Sequence, residues 1–234
     1  METYYQHVIF LTGLTAVMAM LPAMYFYRQD RVQRIAGGVW PRDFGEKLKP
    51  GEIVLLLVTG AGLAQYGNII VNILNSVINY TAYQESMEKM TDGKGIFMMI
   101  FWMGIIAPAA EEMIFRWLVY LRLRDYLRVG AAVVISAVMF GMYHGNIVQA
   151  IYASLLGAAF AYILEKSKNL WSSVCLHIGA NVWSLLLGEY GVELFSSEKG
   201  ARVLLLIYML LLIIMVYGLN YFGEKSKRKS CVAS

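Results

Sequence analysis

Seven stretches of mainly apolar residues recur along the chain, and their length limits what it can fold into. An apolar helix of about 20 residues crosses the hydrocarbon core of a bilayer. The chain is 59% hydrophobic and only 15% charged, whereas soluble domains have about 25% charged residues. We therefore predict an all-α fold, a polytopic transmembrane helix bundle with about seven spanning helices, in a range of six to eight. The predicted helices cover residues 5–27, 53–78, 96–121, 130–146, 147–165, 169–188 and 201–222.

The polar stretches between these helices are short loops, so the 234 residues are predicted to form one integral membrane domain, 1–234. Within "GMYHGN", between the fourth and fifth helices, the chain forms either a tight turn or part of a broken helix. The start, "METYYQH", has no basic n-region, so the first helix is expected to be retained rather than cleaved as a signal peptide. Two cysteines, Cys175 and Cys231, make no disulfide framework.

The basic residues predict an orientation. In a seven-helix alternation, 15 of the 20 lysines and arginines fall on one side of the membrane. The positive-inside rule makes that side cytoplasmic, so the N-terminus is expected outside and the C-terminus, with a basic tail at 223–234, in the cytoplasm. The net charge of +4 is explained by these loops, and no nucleic-acid partner is predicted. The fifteen are Arg28, Arg31, Arg34, Arg42, Lys47, Lys49, Arg122, Arg124, Arg128, Lys166, Lys168, Lys225, Lys227, Arg228 and Lys229.

Three charged residues lie inside the third apolar stretch, in "IAPAAEEMIFRWLVYL". A charge at the bilayer centre costs about 2.5–3.5 kcal/mol on insertion scales, so such residues are usually paired and functional. Glu112 and Arg116 are spaced i and i+4, which predicts an ion pair, and Glu111 is turned about 100° away. Pro108 removes a helical hydrogen bond one turn earlier, which we expect to kink the helix and open room for water. A buried salt bridge that only fixes helix packing is the plainer alternative.

Two histidines and an asparagine follow on later apolar segments. His144 ends "FGMYH", and His177 and Asn181 share one helix face in "HIGAN", whereas His7 is interpreted as an interfacial residue. One chemistry that fits is hydrolysis, with Glu111 as general base and His144 holding the water. His177 and Asn181 would then donate hydrogen bonds to an oxyanion. A metal site with glutamate and histidine ligands and a proton relay in a transporter are the alternatives.

Small residues form two rows on the fifth predicted helix, a pattern that lets helix backbones approach closely in lipid. The rows are Ala153, Gly157 and Ala161, and Ala150, Ser154 and Ala158.

Three motifs occur in order: "EEMIFR" fits E-E-x-x-x-R, "FGMYH" fits F-x-x-x-H and "HIGAN" fits H-x-x-x-N. Together they resemble the CPBP family of CAAX proteases and bacteriocin-processing enzymes, also called Abi, over a motif-bearing catalytic core of about 96–190. The resemblance implies a helical intramembrane endopeptidase that uses glutamate-activated water. It implies Glu111 as the base, His144 as a water ligand, and His177 with Asn181 as the oxyanion hole. Glu112 and Arg116 are expected to be structural or orienting.

The leading hypothesis is therefore an intramembrane endopeptidase in a bacterial plasma membrane, acting on a prenylated, leader or other membrane-associated peptide. Membrane lipid is a further expected partner, and no metal or other cofactor is predicted. A non-catalytic bacteriocin-immunity or scaffold protein of the same fold is the alternative, and a proton-coupled transporter is a third. The C-terminal "CVAS" has the C-a-a-X form, which we interpret as coincidence.

Counting from the predicted helix ends leaves a mismatch of depth. His144 is expected about 20 Å from the cytoplasmic side, whereas Glu111 is expected only about 10–15 Å from it. A tilted or broken fourth helix would bring the two together.

Overall fold

The computed structural model describes residues 2–39, 47–78 and 93–232, and it describes side chains over 7–39, 47–76 and 93–226. In these parts of the chain the fold is all α, with seven helices in sequence. The third is a run of consecutive α and π segments that behaves as one long helix. The helices are α1 (Glu2–Ala36), α2 (Pro50–Ile78), α3 (Ile96–Tyr126), α4 (Val129–Tyr143), α5 (Ile147–Ser167), α6 (Leu170–Phe195) and α7 (Glu198–Val232).

Six of these seven helices are long and apolar enough to cross a membrane, so the chain is an integral membrane protein. The remaining one, α4, has 15 residues, which is shorter than the roughly 20 that a bilayer requires. The predicted bundle of about seven helices is confirmed, with six candidate spans at the lower end of the predicted range. The "GMYHGN" segment forms a tight turn, since His144 and Asn146 cap the two helices and Gly145 has φ 75°.

The predicted ends of α1 and α3 were wrong, because both helices continue beyond their apolar stretches. α1 ends at Ala36 rather than at 27, and α3 ends at Tyr126 rather than at 121. Their extensions carry charges that pair with each other: Arg34 binds Asp125 at 2.8 Å, and Arg122 binds Asp30 at 2.7 Å. Charged residues interrupt the apolar pattern from which the helix ends were predicted. Here the same residues form ion pairs between α1 and α3 that stabilise the extended parts of both helices. α7 likewise continues to Val232, and the side chains of "CVAS" lie outside the described residues.

These helix ends remove the mismatch of depth. Glu111 lies roughly 22 Å from the end of α3, and His144 lies roughly 24 Å from Arg128, at 1.5 Å per residue. The Trp117 indole donates a hydrogen bond to the carbonyl of Leu170 at 3.3 Å, so α6 begins well below the end of α3. All three motif-bearing segments therefore reach a similar depth. The expected difference in depth between His144 and Glu111 was too large because α3 was taken to end too early.

Glycine allows the closest helix crossing of the bundle, between α2 and α6. A Cβ atom at Gly60 would collide with the carbonyl of Leu176, and one at Gly179 would collide with the carbonyl of Leu57. The two backbones therefore touch at the level of His177. This crossing fixes the position of α6 within the bundle.

The two small-residue rows of α5 also serve close packing, as predicted. A Cβ atom at Gly141 of α4 would collide with Ala150 and Ser154, which belong to one row. In the other row, Gly157 is buried and lies beside Arg116. α5 therefore contacts α4 with both rows, and the second row also lies beside the charged part of α3.

We expect Gly179→Ala to destabilise the protein by about 1–3 kcal/mol, because the added methyl group overpacks the contact with α2. The matched control is Gly188→Ala on the same helix, where an added Cβ meets nothing within 4 Å. That variant is expected to be neutral or stabilising, since alanine favours a helix by about 0.5–1 kcal/mol over glycine. Thermal unfolding in detergent measures both, and equal stabilities of the two variants would contradict the tight crossing.

Candidate active site

α3 carries three of the predicted site residues and is not a regular helix. It contains two π-helical segments, Ile100–Ile106 and Met113–Tyr120, on either side of the α-helical turn Ala107–Glu112. Pro108 lies buried at the start of that turn. Single π segments in α-helices frequently mark functional sites. The irregular backbone therefore coincides with the part of the chain that holds Glu111, Glu112 and Arg116.

The predicted ion pair between Glu112 and Arg116 forms at 3.2 Å, and both side chains are fully buried. The guanidinium also lies against two aromatic rings, 4.4 Å from the centroid of Phe140 and 5.2 Å from that of Phe160. Cation–π contacts of this kind are worth about 2 kcal/mol when desolvated. Gly157 provides the space, because a Cβ atom there would lie 2.9 Å from the guanidinium. Arg116 is thus held by one carboxylate and two rings.

Glu112 also binds His177, a contact that the sequence did not indicate. The Nδ1 atom of His177 lies 3.0 Å from Oε1 of Glu112. Because a carboxylate accepts hydrogen bonds, Nδ1 is the protonated nitrogen and donates. A carboxylate on one ring nitrogen fixes the tautomer and the orientation of the imidazole. Glu112 therefore connects Arg116 to His177, and it lies between α3 and α6.

Glu111 lies on the other side of the same histidine. Its Oε2 atom is 3.7 Å from Nε2 of His177, and its side chain is 18% exposed, whereas Glu112 is 0% exposed. The Phe160 ring stacks on His177 at 4.6 Å between ring centroids, with an interplanar angle of 28°. This arrangement holds the imidazole between the two carboxylates. Glu111 is the one of the two carboxylates that is accessible from outside the bundle.

His144 joins this group through Phe140. Its Nδ1 atom donates to the backbone carbonyl of Phe140 at 2.9 Å, since a carbonyl can only accept, and this leaves Nε2 for another partner. The Phe140 ring contacts the rings of both histidines, at 4.9 Å from His144 and 5.6 Å from His177. Tyr143, which is largely exposed, packs beside His144 and Phe115. The end of α4 therefore adjoins the charged cluster of α3 and α6.

Asn181 lies one turn after His177 on α6, as expected, and its carboxamide contacts backbone. Its Nδ2 atom donates to the carbonyl of Met103 at 3.0 Å. Met103 belongs to the first π-helical segment of α3. Asn181 thus connects α6 to the irregular part of α3, a second contact that the motif spacing alone did not reveal.

Other residues noted in the sequence lie apart from these contacts. His7 is exposed on α1, and Cys175 is a half-buried free thiol on α6. Among the residues that the structure describes, no group of three or more histidine, cysteine, aspartate or glutamate side chains is arranged to hold a metal ion.

Residues 93–183 match the family model described as "Type II CAAX prenyl endopeptidase Rce1-like". This range includes all six residues singled out above: Glu111, Glu112, Arg116, His144, His177 and Asn181. The match supports the resemblance to the CPBP family over this part of the chain.

A relative in Bacillus subtilis (strain 168) has the name "Putative membrane peptidase YdiL". It is 23% identical over 165 residues, which is 70% of this chain and 68% of the relative. No solved structure matches the chain. The family match and the relative both support a membrane protease.

Proposed function

We propose that this protein is an intramembrane endopeptidase in which Glu111 activates the water that hydrolyses a peptide bond. The observation that carries the proposal is the difference between two adjacent carboxylates. Glu112 is fully buried and holds Arg116 and His177, whereas Glu111 is partly exposed and lies 3.7 Å from Nε2 of His177. A carboxylate beside an oriented imidazole, with access from outside, has the properties of a general base.

In the proposed reaction, Glu111 takes a proton from water as the water oxygen attacks the carbonyl carbon of the substrate. His144 holds that water through Nε2, since its Nδ1 is bonded to the Phe140 carbonyl. The resulting oxyanion accepts hydrogen bonds from His177 and Asn181. The C–N bond then breaks, and the proton on Glu111 passes to the leaving amine. For His177 to donate from Nε2, both ring nitrogens carry hydrogen, since its Nδ1 already donates to Glu112.

We propose that the whole chain is one membrane domain with its catalytic core at about 96–190 and its C-terminus in the cytoplasm. The basic ends of α1, α3 and α5 support this orientation. The substrates we propose are a prenylated C-terminal peptide, a peptide leader or another membrane-associated peptide, since the site lies between membrane helices.

The test is cleavage of these three peptide classes by the purified protein in detergent or proteoliposomes. Glu111→Ala and His144→Ala serve as the loss-of-function variants, and mass spectrometry identifies the bond that is cut. We expect at least one class to be cleaved by the parent and not by either variant. Equal cleavage by all three proteins would overturn the mechanism. Protection of cells from a peptide toxin that survives loss of Glu111 would favour the non-catalytic immunity function instead.

We expect activity to survive exhaustive chelation, because the proposed reaction uses a carboxylate and imidazoles alone to activate water. The measurement is the cleavage rate before and after dialysis against a strong chelator. A rate that falls on chelation and returns with zinc would contradict this prediction.

A further inference from the structure

Pro108 interrupts the hydrogen bonding of α3 at a defined carbonyl. The π-helical segment Ile100–Ile106 ends in a register in which an N–H bonds to the carbonyl five residues earlier, since the N–H of Ala107 bonds to Trp102. The next donor in this register would be the N–H of residue 108, and its acceptor would be the carbonyl of Met103. Proline has no N–H. The helix therefore leaves the Met103 carbonyl without its backbone partner.

Asn181 supplies that missing donor from another helix. Its Nδ2 atom lies 3.0 Å from the Met103 oxygen. The two helices pack tightly here, since a Cβ atom at buried Gly104 would lie 3.0 Å from the Val182 side chain. A carbonyl that lacks its helical donor gains a hydrogen bond from Asn181, so the contact is favoured. It also uses only one of the two N–H donors of the carboxamide.

We infer that Pro108 is a positioning residue for Asn181, an inference that rests on the function proposed above. By leaving the Met103 carbonyl unbonded within α3, Pro108 gives Asn181 a fixed acceptor for one N–H. The plane of the carboxamide is then set, and its second N–H stays available for the oxyanion beside His177. The motif asparagine is thus oriented by a proline that lies outside the three motifs.

The test is Pro108→Ala, which gives the Met103 carbonyl a backbone donor in either helical register. In the π register the new N–H of residue 108 bonds to Met103, and in an α register the N–H of Ala107 does so. The backbone N–H then competes with Asn181 for the Met103 oxygen, so the carboxamide is held less firmly. We expect kcat to fall about 10-fold with KM unchanged, which is less than the 10²–10³-fold loss that follows removal of an oxyanion donor, as in Asn181→Ala. Pro22→Ala, in the interior of α1, is the control and is expected to leave kcat unchanged.

The double variant Pro108→Ala/Asn181→Ala tests whether the effect of Pro108 on kcat depends on Asn181. If Pro108 acts through Asn181, the double variant has the kcat of Asn181→Ala alone. A full kcat in Pro108→Ala, or two losses that multiply, would overturn the inference.

Thermal stability gives a readout that does not depend on catalysis. Asn181→Ala should lower the unfolding temperature when Pro108 is present, because the Met103 carbonyl loses its donor. In the Pro108→Ala background, Asn181→Ala should lower the unfolding temperature less, because the backbone there supplies a donor to the Met103 carbonyl. A parent protein without peptidase activity would refute the proposed function. The comparison of unfolding temperatures would still decide whether Asn181 replaces the backbone donor that Pro108 lacks. Equal losses in both backgrounds would refute the coupling.

Discussion

Replacing Glu111 with glutamine is expected to lower kcat by about 10²–10⁴-fold, the range that general acid–base catalysis supplies. Glutamine has nearly the same shape but cannot take a proton from water. Because Glu111 is 18% exposed and lies 3.7 Å from His177, its loss breaks no short ion pair. Thermal stability should therefore stay close to that of the parent. The measurements are kcat on the peptide class that the parent cleaves and the unfolding temperature in the same detergent.

The neighbouring Glu112→Gln is the matched control. It removes one charge by the same chemical change, but from a fully buried carboxylate bound to Arg116 and His177. We expect this variant to lose stability, because it leaves a buried guanidinium without its counterion. If instead Glu111→Gln were unstable and Glu112→Gln stable, the division of roles between the two glutamates would be wrong.

Removal of the Arg116 guanidinium is expected to have the largest effect on folding. Arg116→Met keeps much of the apolar volume between Phe140 and Phe160 but leaves the Glu112 carboxylate buried and unpaired. Breaking a buried pair on one side costs about 3–5 kcal/mol. Thermal or denaturant unfolding in detergent measures the loss. Stability equal to that of the parent would show that the pair is not needed for folding.

The double variant Glu112→Gln/Arg116→Met tests whether the cost is electrostatic. With both charges removed, no unpaired ion remains, and most of the lost stability should return. Activity should not return, because His177 then lacks a carboxylate at Nδ1. A double variant as unstable as Arg116→Met would instead indicate that the packing of the guanidinium between the two rings dominates.

The number and order of the helices could be predicted from apolar stretches alone. In a bilayer every backbone polar group must be bonded internally, so an apolar stretch of sufficient length has few alternatives to a helix. The helix ends were less predictable. α1 and α3 extend past their apolar residues because Arg34 and Arg122 find carboxylates on the neighbouring helix, and such pairing is not visible in either stretch by itself.

Some contacts of the candidate site could likewise be predicted from the sequence, and others could not. The Glu112–Arg116 pair follows from i, i+4 spacing on one helix, so local sequence was sufficient. The bond between Glu112 and His177 joins residues 65 positions apart. It depends on how α3 and α6 pack, and therefore on distant residues such as Gly60 and Gly179 that allow α6 to approach α2.

The sequence by itself determined an all-α membrane bundle and predicted the residues of the candidate site, because apolar length and motif order can be read along the chain. Tertiary structure alone decided which polar groups meet across helices. It gave Glu112 a second partner in His177, left Glu111 accessible, and directed Asn181 to the carbonyl that Pro108 leaves unbonded. The physical reason is that buried polar groups must find partners wherever the packed helices provide them.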